Sequence, residues 1–167
     1  MGYLLLFGCA VAKSPDRIIC IDGDGSIQMN IQELQTIRHN SLNMKIFIIN
    51  NNGYHSIRQT QTNLFNGKYV GISKENGVSF PDFEKLSYAY DIPYFKISKL
   101  SDMKNLHEKL EKNGPMIIEV VVDEKQNFEP KMSSRVLPDG TMFSPELDDM
   151  FPFIDREEYE NIKKIKE

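Results

Sequence analysis

The sequence predicts a single α/β domain: a doubly wound, mostly parallel sheet with helices on both faces. Three observations predict it. Short apolar runs rich in β-branched and aromatic residues recur at 17–22, 44–49, 94–97 and 116–122, and continuous runs of that length read as strands covered on both faces. Segments with helical apolar spacing lie between them, the alternation that joins parallel strands by crossover helices. The first two runs end in polar tips, Gly23-Asp24-Gly25-Ser26 and Asn50-Asn51-Asn52-Gly53. Right-handed crossovers bring both tips to the carboxyl edge of the sheet, where open α/β sheets bind ligands.

Taken in order, Tyr3 to Val11 is apolar and reads as a helix without a capped start. It is far too short to span a membrane and lacks a basic leader. Pro15-Asp16 is a turn. Ile18, Ile19 and Ile21 give the first strand. Asn30 and Glu33 have the spacing of a capping box, ahead of an apolar stripe of Ile31, Leu34 and Ile37. Read alone, Glu33 is either a catalytic carboxylate or that cap. A second strand ends at the Asn-rich tip, and Asn63 to Gly77 is loop-like, placed to cover that tip. Ser79-Phe80-Pro81-Asp82 opens the next helix, and Tyr94 to Ile97 is a strand. Ser101 is the expected cap of a helix whose face is Met103, Leu106 and Leu110, and Gly114-Pro115 ends it. Met116 to Val122 is the fourth strand, which places the α/β core within 1–122. The remainder, 123–167, is expected to be an irregular C-terminal segment with a turn at Pro138-Asp139-Gly140. A charged terminal helix follows, opened by an Asp155/Glu158 capping box.

A chain of 167 residues, 40% hydrophobic and 26% charged, is one domain's worth of core. Its net charge of −4 and pI near 5.5 argue against nucleic acid as a partner. Cys9 and Cys20 sit in apolar segments without metal-ligand spacing, so buried free thiols in a reducing cytoplasm are expected.

The two tips carry the chemistry. Asp24 and Asn51, 27 positions apart, converge if both strands end at one edge. One carboxylate, one amide oxygen and loop carbonyls form an oxygen-only set suited to Mg²⁺, which also draws ligands from substrate phosphates. Gly25 lets the backbone approach a phosphate closely, and the N–H groups of Gly25 and Ser26 would face the anion. A Mg²⁺-diphosphate site is the reading. The rival, a calcium loop with Asp22, Asp24, Ser26 and Glu33 at positions 1, 3, 5 and 12, puts Ile27 where the sharp turn needs Gly.

Gly23-Asp24-Gly25 with a following Asn pair resembles the cofactor motif of thiamine diphosphate enzymes. The words Gly23-Asp24-Gly25-Ser26-Ile27-Gln28-Met29-Asn30-Ile31-Gln32-Glu33-Leu34 and Thr36-Ile37-Arg38 resemble the acetolactate synthase and 2-keto acid decarboxylase branch, and the likeness runs over nearly the whole chain. The resemblance implies thiamine diphosphate and Mg²⁺ as cofactors, with Asp24, Asn51 and the Gly53 carbonyl as metal ligands. It places Gly23, Gly25, Ser26 and Tyr54 at the cofactor. It implies a C-terminal, diphosphate-binding domain of an enzyme that decarboxylates a 2-keto acid and makes carbon–carbon bonds. The activating glutamate belongs to a pyrimidine-binding domain or subunit outside this chain, in a homo-oligomer. The catalytic residue within this chain is left unassigned.

Met1-Gly2-Tyr3 matches the end of the family's Gly-rich turn, so part of the loop over the thiazolium is expected to precede residue 1 or to have changed. Where biosynthetic relatives carry Trp and pyruvate decarboxylases Glu, this chain has Thr60 and Ile57, so the acceptor substrate stays open. Tyr54 and Ile57 face either the cofactor side or the core. His55 is either an acid/base or a packed residue, and His39 and His107 are surface residues. Lys131-Met132-Ser133-Ser134-Arg135 resembles the segment that packs over the family's active site, with Arg135 either in a surface ion pair or at a phosphate or partner. Two other functional readings stand beside the first. One is the diphosphate-binding subunit of a split decarboxylase, and the other a cofactor-binding or assembly domain without turnover.

Overall fold

The computed structural model describes residues 8–12, 16–137 and 139–165. The apolar opening through residue 7 and the Pro15 turn lie outside the described residues. Four strands, β1 (Ile18–Gly23), β2 (Met44–Asn50), β3 (Tyr94–Ile97) and β4 (Met116–Val121), form one sheet in the order β1-β2-β4-β3. Every pairing is parallel. The helices are α1 (Glu33–His39), α2 (His55–Leu64), α3 (Phe83–Ala89) and α4 (Leu106–Glu111). This is the expected α/β arrangement, and its strands end together at the edge that carries Asp24 and Asn51.

Alternation along the strands divides the core in two. Cys20, Ile46, Ile48 and Ile117 face one side, where Leu34 and Ile37 of α1 and Phe83 and Leu86 of α3 close over them. Phe47, Phe95, Ile97, Met116 and Ile118 face the other, packed by Leu106 and Leu110 of α4. Each large side chain buried this way contributes about 1.5–3 kcal/mol. The second cover is partial. Ile19 and Ile21 on β1 are 47% and 66% exposed. Coverage of both faces, expected for every strand, therefore fails at β1, an edge strand.

A buried ammonium lies within this sheet. Lys45 on β2 is fully buried, and its ammonium donates to Asn43 Oδ1 at 3.0 Å and to the carbonyls of Lys112 and Gly114 at 2.6 and 2.5 Å. All three donors are used, which is the condition for burying an ammonium. Burial, then the nearby Arg17, pulls its pKa below the usual lysine value.

Two expected caps do not form. Residues Ile27–Asn30 already turn as a 3-10 helix, so Asn30 is inside a helical turn and cannot take an extended cap conformation. α1 starts at Glu33 behind Gln32, with no side-chain cap. Ser101 likewise falls inside a 3-10 helix, Leu100–Asn105, that precedes α4. There Asp102 takes the N–H groups of Ser98 and Lys99 at 2.9 and 3.1 Å. At α3 the expected opening is found: Asp82 accepts from the N–H groups of Glu84 and Lys85 at 3.0 and 3.1 Å.

The described residues form two compact units, the first ending at Gln126 and the second running from Asn127. The second is more ordered than an irregular segment. β5 (Arg135–Val136) pairs antiparallel with β6 (Met142–Phe143). Thr141 N–H and Oγ1 donate to Asp139 Oδ1 at the turn, at 2.9 and 2.6 Å, and Gly140 takes φ +84°. Pro138 and the Arg135 side chain lie outside the described residues. α5 (Arg156–Ile165) is capped by Asp155, which accepts from Glu157 and Glu158 N–H. Arg156 grips the buried Asp149 with two hydrogen bonds, at 2.6 and 2.8 Å. Among the described residues, no helix is long and apolar enough to cross a membrane.

Candidate functional site

Asp24 follows the last residue of β1, and its N–H donates to the Ile49 carbonyl on β2 at 3.1 Å. That bond carries the parallel ladder one step past the strand and turns the carboxylate toward the second tip. Oδ1 accepts the N–H of Gly25 at 2.7 Å, and Oδ2 accepts the N–H of Gly53 at 3.1 Å. The N–H groups of Asn51 and Asn52 also face it. Asp24 is 2% exposed. Burial pushes its pKa above the ordinary aspartate value, while the four N–H groups act in the opposite direction. The two loops thus meet on one carboxylate.

The Asn-rich loop is shaped by its own side chains. Asn50 Oδ1 accepts the Asn52 N–H at 3.0 Å, an Asx turn, and Asn52 itself takes φ +55°, a conformation Asn tolerates. Gly53 is required at the next position: a Cβ there would lie 2.3 Å from the Ile72 carbonyl oxygen. That same oxygen accepts the Tyr54 N–H at 2.9 Å. The loop that presents Ile72 is folded by Asn76, whose Oδ1 takes the N–H groups of Ile72 and Ser73 at 2.7 and 2.9 Å. Outside the sheet, Glu124 accepts from Asn52 Nδ2 at 2.9 Å and pairs with Arg58 at 3.7 Å. Tyr54 lies against Gly25 so closely that a Cβ on Gly25 would meet its ring at 2.2 Å. Phe80 packs edge-on against the same ring, 5.7 Å between centroids.

Asp24, Gly25, Asn51, Gly53 and Tyr54 are therefore together. Gly23 is paired with Ile49 at the end of the ladder, and Ser26 is exposed at the start of the 3-10 turn. His55 is buried at the head of α2, whereas His39 and His107 are exposed. Ile57 is 44% exposed. Sequence reasoning missed the Ile72 carbonyl, which has no side-chain signature. Asn76-Gly77 was the readable hint, a turn-forming pair with Gly77 at φ +106°.

The residues fit a metal-bound diphosphate. Asn51 is buried, and its Oδ1 has no hydrogen-bond partner; a buried acceptor left that way is costly unless something positive meets it. Gln28, whose N–H bonds the Gly25 carbonyl at 3.3 Å, has a buried Nε2 donor without a partner, the complement of a phosphate oxygen. Among the described residues no three His, Cys, Asp or Glu side chains gather to hold a metal. A cation at Asp24 and Asn51 must then complete its shell with oxygens from elsewhere, which is how Mg²⁺ is commonly held. The calcium-loop alternative falls on its flanks: a strand precedes Asp24, and a 3-10 turn follows it.

Comparison with known proteins bears on these residues. Residues 1–120 match the family model described as thiamine pyrophosphate enzyme, C-terminal TPP binding domain. The acetolactate synthase large subunit of Cyanidium caldarium is 37% identical over 136 residues, and that of Pyropia yezoensis 38% over the same length. Each alignment covers 80% of this chain and 23% of the relative. The acetolactate synthase isozyme 2 large subunit of Escherichia coli (strain K12) is 34% identical over 124 residues, 74% of this chain and 22% of the relative. The chain thus spans under a quarter of the length of these curated relatives.

Proposed function

The chain belongs to the thiamine pyrophosphate enzyme family, as its C-terminal TPP-binding domain, and from that premise we propose that it holds the diphosphate end of the cofactor through Mg²⁺ in an acetolactate synthase-like enzyme acting on a 2-keto acid. The observation that carries the reading is the meeting of the two loops on Asp24 beside the unsatisfied Asn51 amide oxygen. Asp24 and Asn51 would hold the metal by side chain and Gly53 by its carbonyl. Gly25 and Ser26 would face the diphosphate, and Tyr54, packed against Gly25 and Phe80, would wall the site. Bound cofactor supplies the electron sink for decarboxylation and carbon–carbon bond formation, while the protein supplies orientation and electrostatics.

No residue of this chain is assigned the proton transfer that activates the cofactor. That role goes to a pyrimidine-binding domain or subunit, and the chain alone is inactive in this proposal. Exposed Ile57, Leu64 and Phe65 along and just past α2 support a protein partner, here within a homo-oligomer. The cytoplasm is the proposed location, in line with free Cys9 and Cys20.

Calorimetric titration of thiamine diphosphate into the intact protein, with and without Mg²⁺, tests the reading. Binding that requires Mg²⁺ and is lost in Asp24→Asn is expected. Cofactor binding indifferent to both would overturn it. Turnover of a 2-keto acid seen only after adding a separate pyrimidine-binding polypeptide would favour a split decarboxylase. Binding without turnover under any combination would favour an assembly domain.

A further inference from the structure

Glu119 has no place in the reading so far, and its setting is unusual. It lies in the inner strand β4, opposite Ile48 of β2 and Lys96 of β3, and is 4% exposed. Its neighbours Ile117 and Ile118 are the apolar residues such a position calls for. Burying a carboxylate there is costly unless its oxygens are matched. They are. Oε2 accepts the Tyr94 hydroxyl and lies 3.5 Å from Lys96 Nζ, and Oε1 accepts Asn50 Nδ2 at 2.5 Å.

The Asn50 contact reaches the site. Asn50 stands two residues past Ile48, on the same face of the sheet as Glu119. A primary amide has one donor end and one acceptor end. Because Glu119 is an acceptor, it takes the NH₂ end and leaves Oδ1 pointing at the Asn52 N–H, which it accepts at 3.0 Å. Rotated by half a turn, the amide would set a donor against a donor and the Asx turn would open. That turn sends the chain through Asn52 at φ +55° and delivers the Asn51 amide and the Gly53 N–H to Asp24. The Asn50 carbonyl is held as well, by the N–H of Val122, the residue just past β4, at 3.0 Å.

We propose that Glu119 is a positioning residue for the cofactor's metal loop: it fixes the orientation of the Asn50 amide, and through that amide the turn that places Asn51 and Gly53. The inference rests on the Mg²⁺-diphosphate reading. It adds that a residue of the inner strand, 68 positions from Asn51, sets metal affinity.

The test titrates Mg²⁺ into the intact protein at a fixed excess of thiamine diphosphate, by calorimetry, alongside the melting temperature of each variant. Asn50→Asp sets two carboxylates together, and Mg²⁺ affinity should fall about 10- to 100-fold, the usual loss when a supporting partner of a metal ligand is removed. Adding Glu119→Gln restores a donor–acceptor pair with its direction reversed, and the double variant should regain most of the affinity. A role in stability alone would lower melting temperatures and leave Mg²⁺ affinity as in the parent. If Asn50→Asp does not fold, Asn50→Ala, which deletes the turn acceptor without adding charge, carries the same expected loss. Parent-like Mg²⁺ affinity in the single variant, or a double variant no better than the single one, would overturn the inference. Asp24→Asn run in parallel separates the two levels: if it too binds Mg²⁺ normally, the underlying reading fails, and if it alone loses Mg²⁺, only the role of Glu119 does.

Discussion

The two faces of the sheet are built from the same four strands and are not equivalent. One is closed over β1, β2 and β4: Cys20, Ile46, Ile48 and Ile117 lie at 0% exposure beneath α1 and α3. The other is closed over β3 and β4 by α4 and left open at β1, where Ile19 and Ile21 meet solvent. A strand's composition reports what it is suited to touch, whereas the cover depends on elements that lie elsewhere in the chain or in another one. Ile19 and Ile21 have the composition of a buried face and yet are exposed.

The comparison can be broken by substitution. The largest expected effect is on the closed face. Ile46→Ala should cost about 2–5 kcal/mol in denaturant unfolding, the range for removing a fully buried aliphatic side chain. The same change at Ile21 should cost under about 1 kcal/mol, the span of strand propensity at an exposed site. A loss at Ile21 as large as that at Ile46, in the intact protein, would show that something does cover the open face.

A smaller effect is expected at the buried end of the open face. Lys45→Met strands the Lys112 and Gly114 carbonyls, and a cost of about 1–3 kcal/mol should follow, read from the same unfolding curves. No loss would mean that water reaches those carbonyls.

The smallest effect sharpens the contrast chemically. Burial, and then Asp22, pushes the Cys20 thiol up to about 11, whereas Cys9, expected from its apolar segment to be buried as well, is exposed. A thiol reagent at neutral pH should modify Cys9 in the native protein and Cys20 only as the fold opens, as mass spectrometry of labelled peptides would resolve. Because the folded value lies above the unfolded one of 9.0, native Cys20 holds its proton longer than unfolded Cys20. Its contribution to stability is complete below pH 9 and fades as the pH rises toward 11. The stability difference between the parent and Cys20→Ala should shrink over that window.

Much of this was legible in the sequence. The four strands of the sheet announced themselves by β-branched runs, and the two polar tips by glycine and asparagine, because those signals are local. The caps at Asn30 and Ser101 were misread because each lies inside a 3-10 turn, whose i to i+3 bonds leave no trace in an apolar pattern built for 3.6 residues per turn. The β5–β6 hairpin was too short to show alternation. At the site, Asp24 and Asn51 could be put forward from their residue types and Gly53 from the family resemblance. The Ile72 carbonyl and the Glu119 contact could not, since one is backbone and the other joins strands by register.

The strand order carries a consequence for how the protein is made. A chain emerging from its amino end can pair β1 with β2 at once, since the two are neighbours in the sheet. β3 cannot follow, because its only partner among the described residues is β4, the last of the four to be synthesised. The segment from Tyr94 to Ile97 must wait while about 20 further residues are added, a second or more at ordinary translation speed. Only then does β4 slide between β2 and β3, bringing Glu119 to Asn50 and the Val122 N–H to the Asn50 carbonyl. The Asp24 tip thus belongs to the first strands made, whereas the Asn51 turn has its full set of partners only once Glu119 of β4 is in the sheet beside Asn50.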